Sequence, residues 1–248
     1  MVDISIITVT KNSSKTIEKN ISSVKNQKNI NVEHIIKDAH SDDGTSELAL
    51  KANPKINLIV SQDSGIYDAM NQGLAVASGQ IIAFLNSDDY YIDDLVLFDV
   101  INEFNAGNVD YVYGDINMVR KDGTVVRAWR TGIINQKDIL TGFQIPHPVF
   151  FCKREFLMKI DTPFDPTYRI SADLKQQLIL LNTFHARGKY INRVLAVMAL
   201  GGESTRGISS YILGWQECAR AYQEVLGKNG WHFVFWKVAK KLKSIRAW

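Results

Sequence analysis

Leu85-Asn86-Ser87-Asp88-Asp89 follows directly on the apolar run Gln80-Ile81-Ile82-Ala83-Phe84. A buried strand ends where its sheet meets solvent, and in open α/β sheets ligands bind in the crevice at those carboxyl ends. Two neighbouring carboxylates repel each other unless a cation lies between them. Hard oxygen ligands suit Mg²⁺ or Mn²⁺, which usually complete their shells with phosphate oxygens and water. Asp88 and Asp89 are therefore candidate ligands for a divalent ion next to a phosphorylated substrate. The competing reading is an acidic turn, because Asp93-Asp94 soon open another helical pattern.

Strand and helix patterns alternate on either side of this block. Strands are expected at Ile4–Val9, Val32–Lys37, Ile56–Val60, Gln80–Leu85 and Val109–Tyr113. Between them, Ile17, Ile21 and Val24 recur at helical spacing after the possible cap Ser14, and Ile66, Met70, Leu74 and Ala77 do the same. A further helix starts near Thr45 and closes at Pro54, and Gly79 punctuates the step into the strand ahead of Asp88. This βαβ rhythm implies a mostly parallel sheet with helices on both faces and right-handed crossovers. Beyond Tyr113 the pattern loosens, with Asp122-Gly123 as the turn of a hairpin between Ile116–Val119 and Thr124–Val126.

The 248 residues, 46% of them hydrophobic, are enough for one large domain with an appendage. The net charge of +3, from 29 basic and 26 acidic residues, argues against nucleic acid as a partner. Cys152 and Cys218 are too few and too far apart for a disulfide framework or a zinc site, which fits a reducing cytoplasm. Met1-Val2-Asp3 runs straight into a strand without the basic start of a signal peptide, and no apolar run approaches the roughly 20 residues that span a bilayer.

The nucleotide-binding motifs narrow the choice. Thr8-Val9-Thr10-Lys11-Asn12 stands where a dinucleotide fold would carry G-x-G-x-x-G, and there is no P-loop. A phosphatase of the D-x-D-G-T type would need aspartate at position 41, which is Ser41. The blocks that do align resemble the bacterial family 2 glycosyltransferases of the GT-A fold. Ile4–Asn12 is similar to that family's first strand and turn, with Val9 and Lys11 departing from it, and Glu33–Thr45 resembles its second strand and acidic loop, with Ala39-His40 replacing the usual residues. Ser61–Gly73 is very similar to a segment of the members that assemble polysaccharides, and Leu85–Asp89 occupies the place of the D-x-D element. A weaker likeness continues through His147-Pro148, Ser171-Ala172-Asp173 and Leu200–Ser204.

The resemblance implies roles for individual residues. Asp38 matches the aspartate that accepts from the donor's base, and Thr10 a neighbouring nucleoside contact; turn capping is the alternative for Asp38. Asp43 is expected to fix its own turn. Asn86 takes the first acidic position of D-x-D and Asp88 the second, so the donor diphosphate and Mg²⁺ or Mn²⁺ fall to Asn86, Asp88 and Asp89, with the direct ligand open between the two aspartates. Asp173 matches the catalytic aspartate and lies at a helix start, with Leu174, Leu178 and Leu181 inward, where the helix dipole favours its charged form. A carboxylate there suits a general base that activates the acceptor hydroxyl. His147 is a candidate for orienting acceptor or phosphate, or else a structural histidine. Arg206, in the glycine-containing segment Gly201–Gly207, is a candidate for closing over the diphosphate, or an ordinary solvated arginine. Asp68 is a donor-site candidate, with helix capping as its other role.

From Lys228 to Trp248 there are six Lys or Arg residues and no acidic one, and Trp231, Phe235, Val238, Leu242 and Ile245 recur at helical spacing. Such a basic amphipathic helix suits an anionic membrane surface, with a terminal helix packed on the domain as the alternative. The expectation is a GT-A domain over residues 1–228, with a nucleotide-binding half at about 1–115 and an acceptor half at about 116–228, followed by this helix over 229–248. The expected activity is inverting transfer of a sugar from a UDP- or GDP-sugar to a saccharide or lipid-linked saccharide in bacterial surface-polysaccharide assembly, at the inner face of the cytoplasmic membrane. A nucleotidyltransferase would be expected to carry a G-x-G-x-R-like loop, which Thr10–Ser14 lacks. A catalytically idle sugar-nucleotide-binding subunit would bind donor without turnover.

Overall fold

The computed structural model of the chain describes residues 2–120, 122–135, 138, 141–142, 144–201 and 207–245, the last five by backbone alone. Its first half follows the expected alternation: β1 (Ile4–Thr10), α1 (Ile17–Lys25), β2 (Val32–Asp38), α2 (Thr45–Ala52), β3 (Asn57–Val60), α3 (Ile66–Val76) and β4 (Ile81–Phe84). These four strands pair in parallel in the order β3-β2-β1-β4. Side chains alternate across a strand, and β1 divides accordingly. Ile7 and Val9 pack with Met70 and Leu74 of α3, whereas Ile4 and Ile6 join the core on the opposite face. Gly73 lets α3 approach closely, since a Cβ there would meet Ile7 Cγ2 at 2.5 Å.

The second half adds β5 (Tyr90–Tyr91), α4 (Val96–Ala106), β6 (Tyr111–Val119), β7 (Val125–Trp129), β8 (Phe150–Lys153), α5 (Arg154–Leu157), α6 (Ala172–Leu178) and β9 (Gly188–Ala199). The sheet continues from β4 as β8-β6-β9-β5, with β7 hairpinned onto β6. Here pairing is mixed. β8 is antiparallel to β4 and β6, β9 runs parallel to β6, and β5 is antiparallel to β9. Two helices follow, α7 (Ile208–Leu226) and α8 (Gly230–Ile245). Among the described residues no helix is long and apolar enough to cross a membrane.

Some expectations change. Val109–Tyr113 and Ile116–Val119 belong to one strand, because the polar Asp115 that interrupts the pattern is buried and satisfied by the Thr131 N–H at 2.7 Å and the Tyr190 hydroxyl at 2.9 Å. Ser14 does not cap α1, which starts after Thr16; its N–H instead donates to Asp43 at 3.0 Å. On α8 the inward residues are Phe233 and Val234, with Val238 partly buried, while Trp231, Phe235 and Trp236 are exposed.

Candidate functional site

The carboxyl ends of β1, β2 and β4 lie side by side, as their parallel registers require. At the end of β1, Thr10 is buried and its hydroxyl has no hydrogen-bond partner. Opposite it in register stands Asp38, fully buried. One Asp38 oxygen accepts from the Ser41 N–H at 2.9 Å and the Ser41 hydroxyl at 2.6 Å, and the other accepts from the Ser46 hydroxyl. Both oxygens are thus committed to the turn that follows β2. Asp43 fixes that turn as well: it accepts from the Thr45 N–H and hydroxyl and the Ser14 N–H, which hold its carboxyl down at about 2. The neighbouring Lys37 is fully buried and pairs with Asp63 at 2.6 Å while donating to the Ser61 carbonyl at 2.8 Å, which pins the segment leading into α3. Asp68 caps that segment, accepting from the Ser64 N–H at 2.8 Å, and this bond leads the influences that hold its carboxyl below the usual range.

After β4 the chain turns through Asn86–Asp89. Asp89 is buried; one oxygen accepts the Ala199 N–H at 3.1 Å and the other the Asn86 amide at 3.3 Å. Burial, and then the Asp88 charge, push the Asp89 carboxyl well up, and burial raises Asp88 also. The Asn86 amide oxygen is buried without a hydrogen-bond partner. Among the described residues no cluster of three or more His, Cys, Asp or Glu comes together. The donor set is therefore Asp88, the orphaned Asn86 oxygen and the already engaged Asp89. Few protein oxygens, with the rest left to phosphate and water, match how magnesium is held, and the repulsion between the half-buried Asp88 and the buried Asp89 is relieved by a cation. These residues fit a divalent ion.

Asn20, which the sequence reading passed over, fixes this turn from α1: its amide donates to the Asn86 carbonyl at 2.8 Å and the Asp89 carbonyl at 3.0 Å. The signal was present as an asparagine one position before Ile21 on a helix whose other inward residues are apolar.

The second cluster comes from the other half of the chain. Phe84, two residues before Asn86, stacks on the His147 ring with centroids 5.5 Å apart and meets Phe164 edge-on at 4.8 Å, and Phe164 stacks on Tyr67 at 5.9 Å. Burial, and then the charge of Asp173 at the start of α6, raise the Tyr67 hydroxyl well above its ordinary pKa. Asp173 is 9% exposed; one oxygen accepts from the Gln144 amide at 3.3 Å, and the other has no hydrogen-bond partner. Both His147 ring nitrogens likewise lack a partner. Burial keeps the imidazole neutral, opposed by the Asp173 charge nearby. The entry to α6 is fixed from α7 by Glu217, whose carboxylate accepts the N–H groups of Arg169 and Ile170 at 2.8 Å and Ser171 at 2.9 Å.

The structure thus brings together Asn86, Asp88 and Asp89 at one end of β4, with His147 and Asp173 reached through Phe84. Thr10 and Asp38 line the neighbouring strand ends. Asp68 lies at the start of α3, one residue from Tyr67. Arg206 lies outside the described residues.

Residues 5–164 match the family model for glycosyl transferase family 2. The chain is 32% identical over 124 residues to the Escherichia coli UDP-Glc:alpha-D-GlcNAc-diphosphoundecaprenol beta-1,3-glucosyltransferase WfgD, covering 49% of each chain. It is 28% identical to the succinoglycan biosynthesis protein ExoO of Rhizobium meliloti, over 69% of this chain and 53% of that one. The matched region therefore spans about half the length of these two relatives. Glucosyl-3-phosphoglycerate synthase from Mycobacterium tuberculosis, crystallised with Mn²⁺, uridine diphosphate and phosphoglyceric acid, superimposes with a TM-score of 0.64 at 18% identity, covering 89% of this chain and 78% of that one. With its GT-A fold and the family model matched over residues 5–164, the chain belongs to glycosyl transferase family 2.

Proposed function

We propose that the protein is a metal-dependent, inverting glycosyltransferase that moves a sugar from a UDP- or GDP-sugar to a saccharide or lipid-linked saccharide in bacterial surface-polysaccharide assembly. The observation that carries this reading is the buried Asp173 oxygen without a hydrogen-bond partner, whose charge acts on the unpartnered His147 ring, which in turn stacks on Phe84 two residues before Asn86. Transfer needs a base for the acceptor hydroxyl on one side of the sugar and charge neutralisation for the departing diphosphate on the other. Asp173 takes the acceptor proton, held in place by Gln144 and by the start of α6. The neutral His147 orients the acceptor by hydrogen bonding. Asp88 and the Asn86 oxygen hold Mg²⁺ or Mn²⁺, with Asp89 bracing Asn86; the ion, when bound, would supply the Lewis acidity that neutralises the diphosphate. Thr10 offers its free hydroxyl to the nucleoside. Asp38 shapes the nucleoside-side loop, and a base N–H would share its oxygens with Ser41 and Ser46. Arg206 and Asp68 are assigned to the donor side. The basic helix α8 supports residence at the inner face of the cytoplasmic membrane, next to lipid-linked acceptors.

Calorimetric titration with UDP and GDP, with and without Mn²⁺, followed by transfer assays with the matching nucleotide sugars, tests the reading. Tight, Mn²⁺-dependent binding of one nucleotide with turnover on a saccharide acceptor is expected. Binding that EDTA leaves unchanged would remove the metal, and binding without any transfer would make the chain an idle binding subunit.

A further inference from the structure

Helix α7 carries one continuous apolar face, and only half of it is covered. Ile208, Tyr211, Ile212, Trp215, Cys218, Ala219 and Tyr222 follow one another at spacings of three, one, three, three, one and three, which places them on one side of a helix. Over the C-terminal half, α8 packs on this side. A Cβ on Gly230 would meet the Ala219 carbonyl oxygen at 2.0 Å, so the two backbones cross in near contact, and Phe233 stacks on Tyr222. Cys218, Ala219 and Tyr222 are accordingly buried. The N-terminal half of the same face is exposed: Ile208 by 80%, Ile212 by 47% and Tyr211 and Trp215 by 38% each.

We infer that this N-terminal half of α7, together with the outward aromatic residues of α8, is the surface by which the protein lies on an anionic lipid bilayer. The inference rests on the membrane-side glycosyltransferase reading above and locates its contact surface. Residues 207–216 contain no charged side chain, and residues 228–248 contain six basic and no acidic ones. Trp231, Phe235 and Trp236 stand exposed on α8. Trp and Tyr with an apolar body and a polar edge favour the headgroup level of a bilayer, and Lys and Arg nearby are drawn to anionic lipids. A second copy of the chain is the poorer occupant: the open half-face offers four large side chains, against the roughly 20–30 residues a side of a stable interface.

The placement has a consequence for catalysis. Glu217, on the opposite side of α7 from this face, holds the N–H groups of Arg169, Ile170 and Ser171 just ahead of Asp173, and the Ser171 hydroxyl donates to the Gly214 carbonyl at 3.3 Å. The helix that rests on lipid would therefore also set the position of the base, so an acceptor presented at the headgroup level meets Asp173 at a fixed height.

Co-sedimentation of the full chain with phosphatidylglycerol/phosphatidylcholine vesicles tests this, comparing it with Ile212→Ser/Trp215→Ser on α7 and Phe235→Ser on α8. Because these side chains are exposed, melting temperature and UDP affinity should stay unchanged and serve as the folding control. Expected is binding to the anionic vesicles, lowered at least tenfold by the α7 pair and severalfold by Phe235→Ser, with a blue-shifted tryptophan emission that the α7 pair diminishes. Absence of vesicle binding by the unaltered chain, or binding that the α7 pair leaves intact, would overturn the inference. So would sedimentation velocity showing a dimer that the α7 pair dissociates while vesicle binding is nil. Stripe-dependent vesicle binding in a protein that neither binds UDP or GDP nor transfers sugar would instead refute the glycosyltransferase reading alone.

Discussion

The carboxylate of Glu217 accepts the backbone N–H of Ser171 at 2.9 Å, two residues before Asp173 and 46 residues away along the chain. With the N–H groups of Arg169 and Ile170 on the same carboxylate, one side chain of α7 fixes the approach to the proposed base. Glu217→Ala leaves these three donors without their acceptor and should cost about 3 kcal/mol in urea unfolding, since buried unsatisfied groups cost about 1–3 kcal/mol. Glu217→Gln, which keeps an acceptor oxygen, should recover part of the stability and of kcat. A variant with full stability and unchanged kcat would show that the approach to α6 holds itself.

Asp173→Asn keeps the shape of the side chain and cannot take a proton. The expected result is a fall in kcat of about 10²- to 10⁴-fold, the usual contribution of a general base, with UDP affinity preserved. An equal loss of affinity and rate would move Asp173 into a binding role.

Asp88 and Asp89 should separate cleanly. Asp89 is committed to Ala199 and Asn86, so Asp89→Ala is expected to lower the melting temperature together with Mn²⁺-dependent UDP binding. Asp88→Ala should abolish the effect of Mn²⁺ on UDP binding with little change in melting temperature. Paired calorimetry and thermal unfolding read both, and identical behaviour of the two variants would refute the division of labour.

The buried His34 gives a pH signature. Its imidazole accepts or donates at 3.1 Å to the Thr8 hydroxyl, and burial drives its pKa down to about 3. A histidine whose folded pKa lies below its unfolded value of about 6.5 takes up its proton more readily when unfolded. Its stabilising share is therefore complete above pH 6.5 and drains away as the pH falls toward 3. His34→Gln should flatten the acid limb of stability between those values, measured by urea unfolding across pH; an unchanged limb would place the sensitivity in other groups.

The fully buried Lys37 pairs with Asp63, whose side chain is 11% exposed. Lys37→Met leaves Asp63 without its ammonium and should destabilise by about 3–5 kcal/mol, the range for breaking a buried ion pair from one side. Lys37→Met with Asp63→Leu should be closer to the parent, and a double variant no better than the single would assign the cost to the lost Ser61 contact instead.

The strand ends were legible because β1 and β4 are buried on both faces and read as largely apolar runs, and because the polar residues that follow them lie at the crevice. Asp43 was legible as a turn residue for the same local reason. Non-local partners were hidden. Nothing in the spacing of Ser41 and Ser46 says that both would occupy Asp38, and Glu217 reads as one acidic residue in an amphipathic helix until the fold brings residues 169–171 beneath it. The tail helix was legible as basic and amphipathic, but which of its residues would meet the domain was not. The close crossing at Gly230, where a Cβ would meet the Ala219 carbonyl oxygen at 2.0 Å, goes with Phe233 and Val234 turned inward and Trp231 and Phe235 left outside, and no periodicity records it.

The order of strands has a consequence for synthesis. β4 is followed in the sheet by β8, whose first residue, Phe150, emerges 66 residues after Phe84 closes β4. At roughly 5–20 residues per second on the ribosome, that edge of the four-strand parallel unit stays unpaired for about 3–13 s. An open apolar edge over that interval invites pairing with another nascent chain. Slow elongation across residues 85–150 would then be expected to lower the yield of folded protein by prolonging the time for which the growing molecule has one half of its sheet and no cover for its margin.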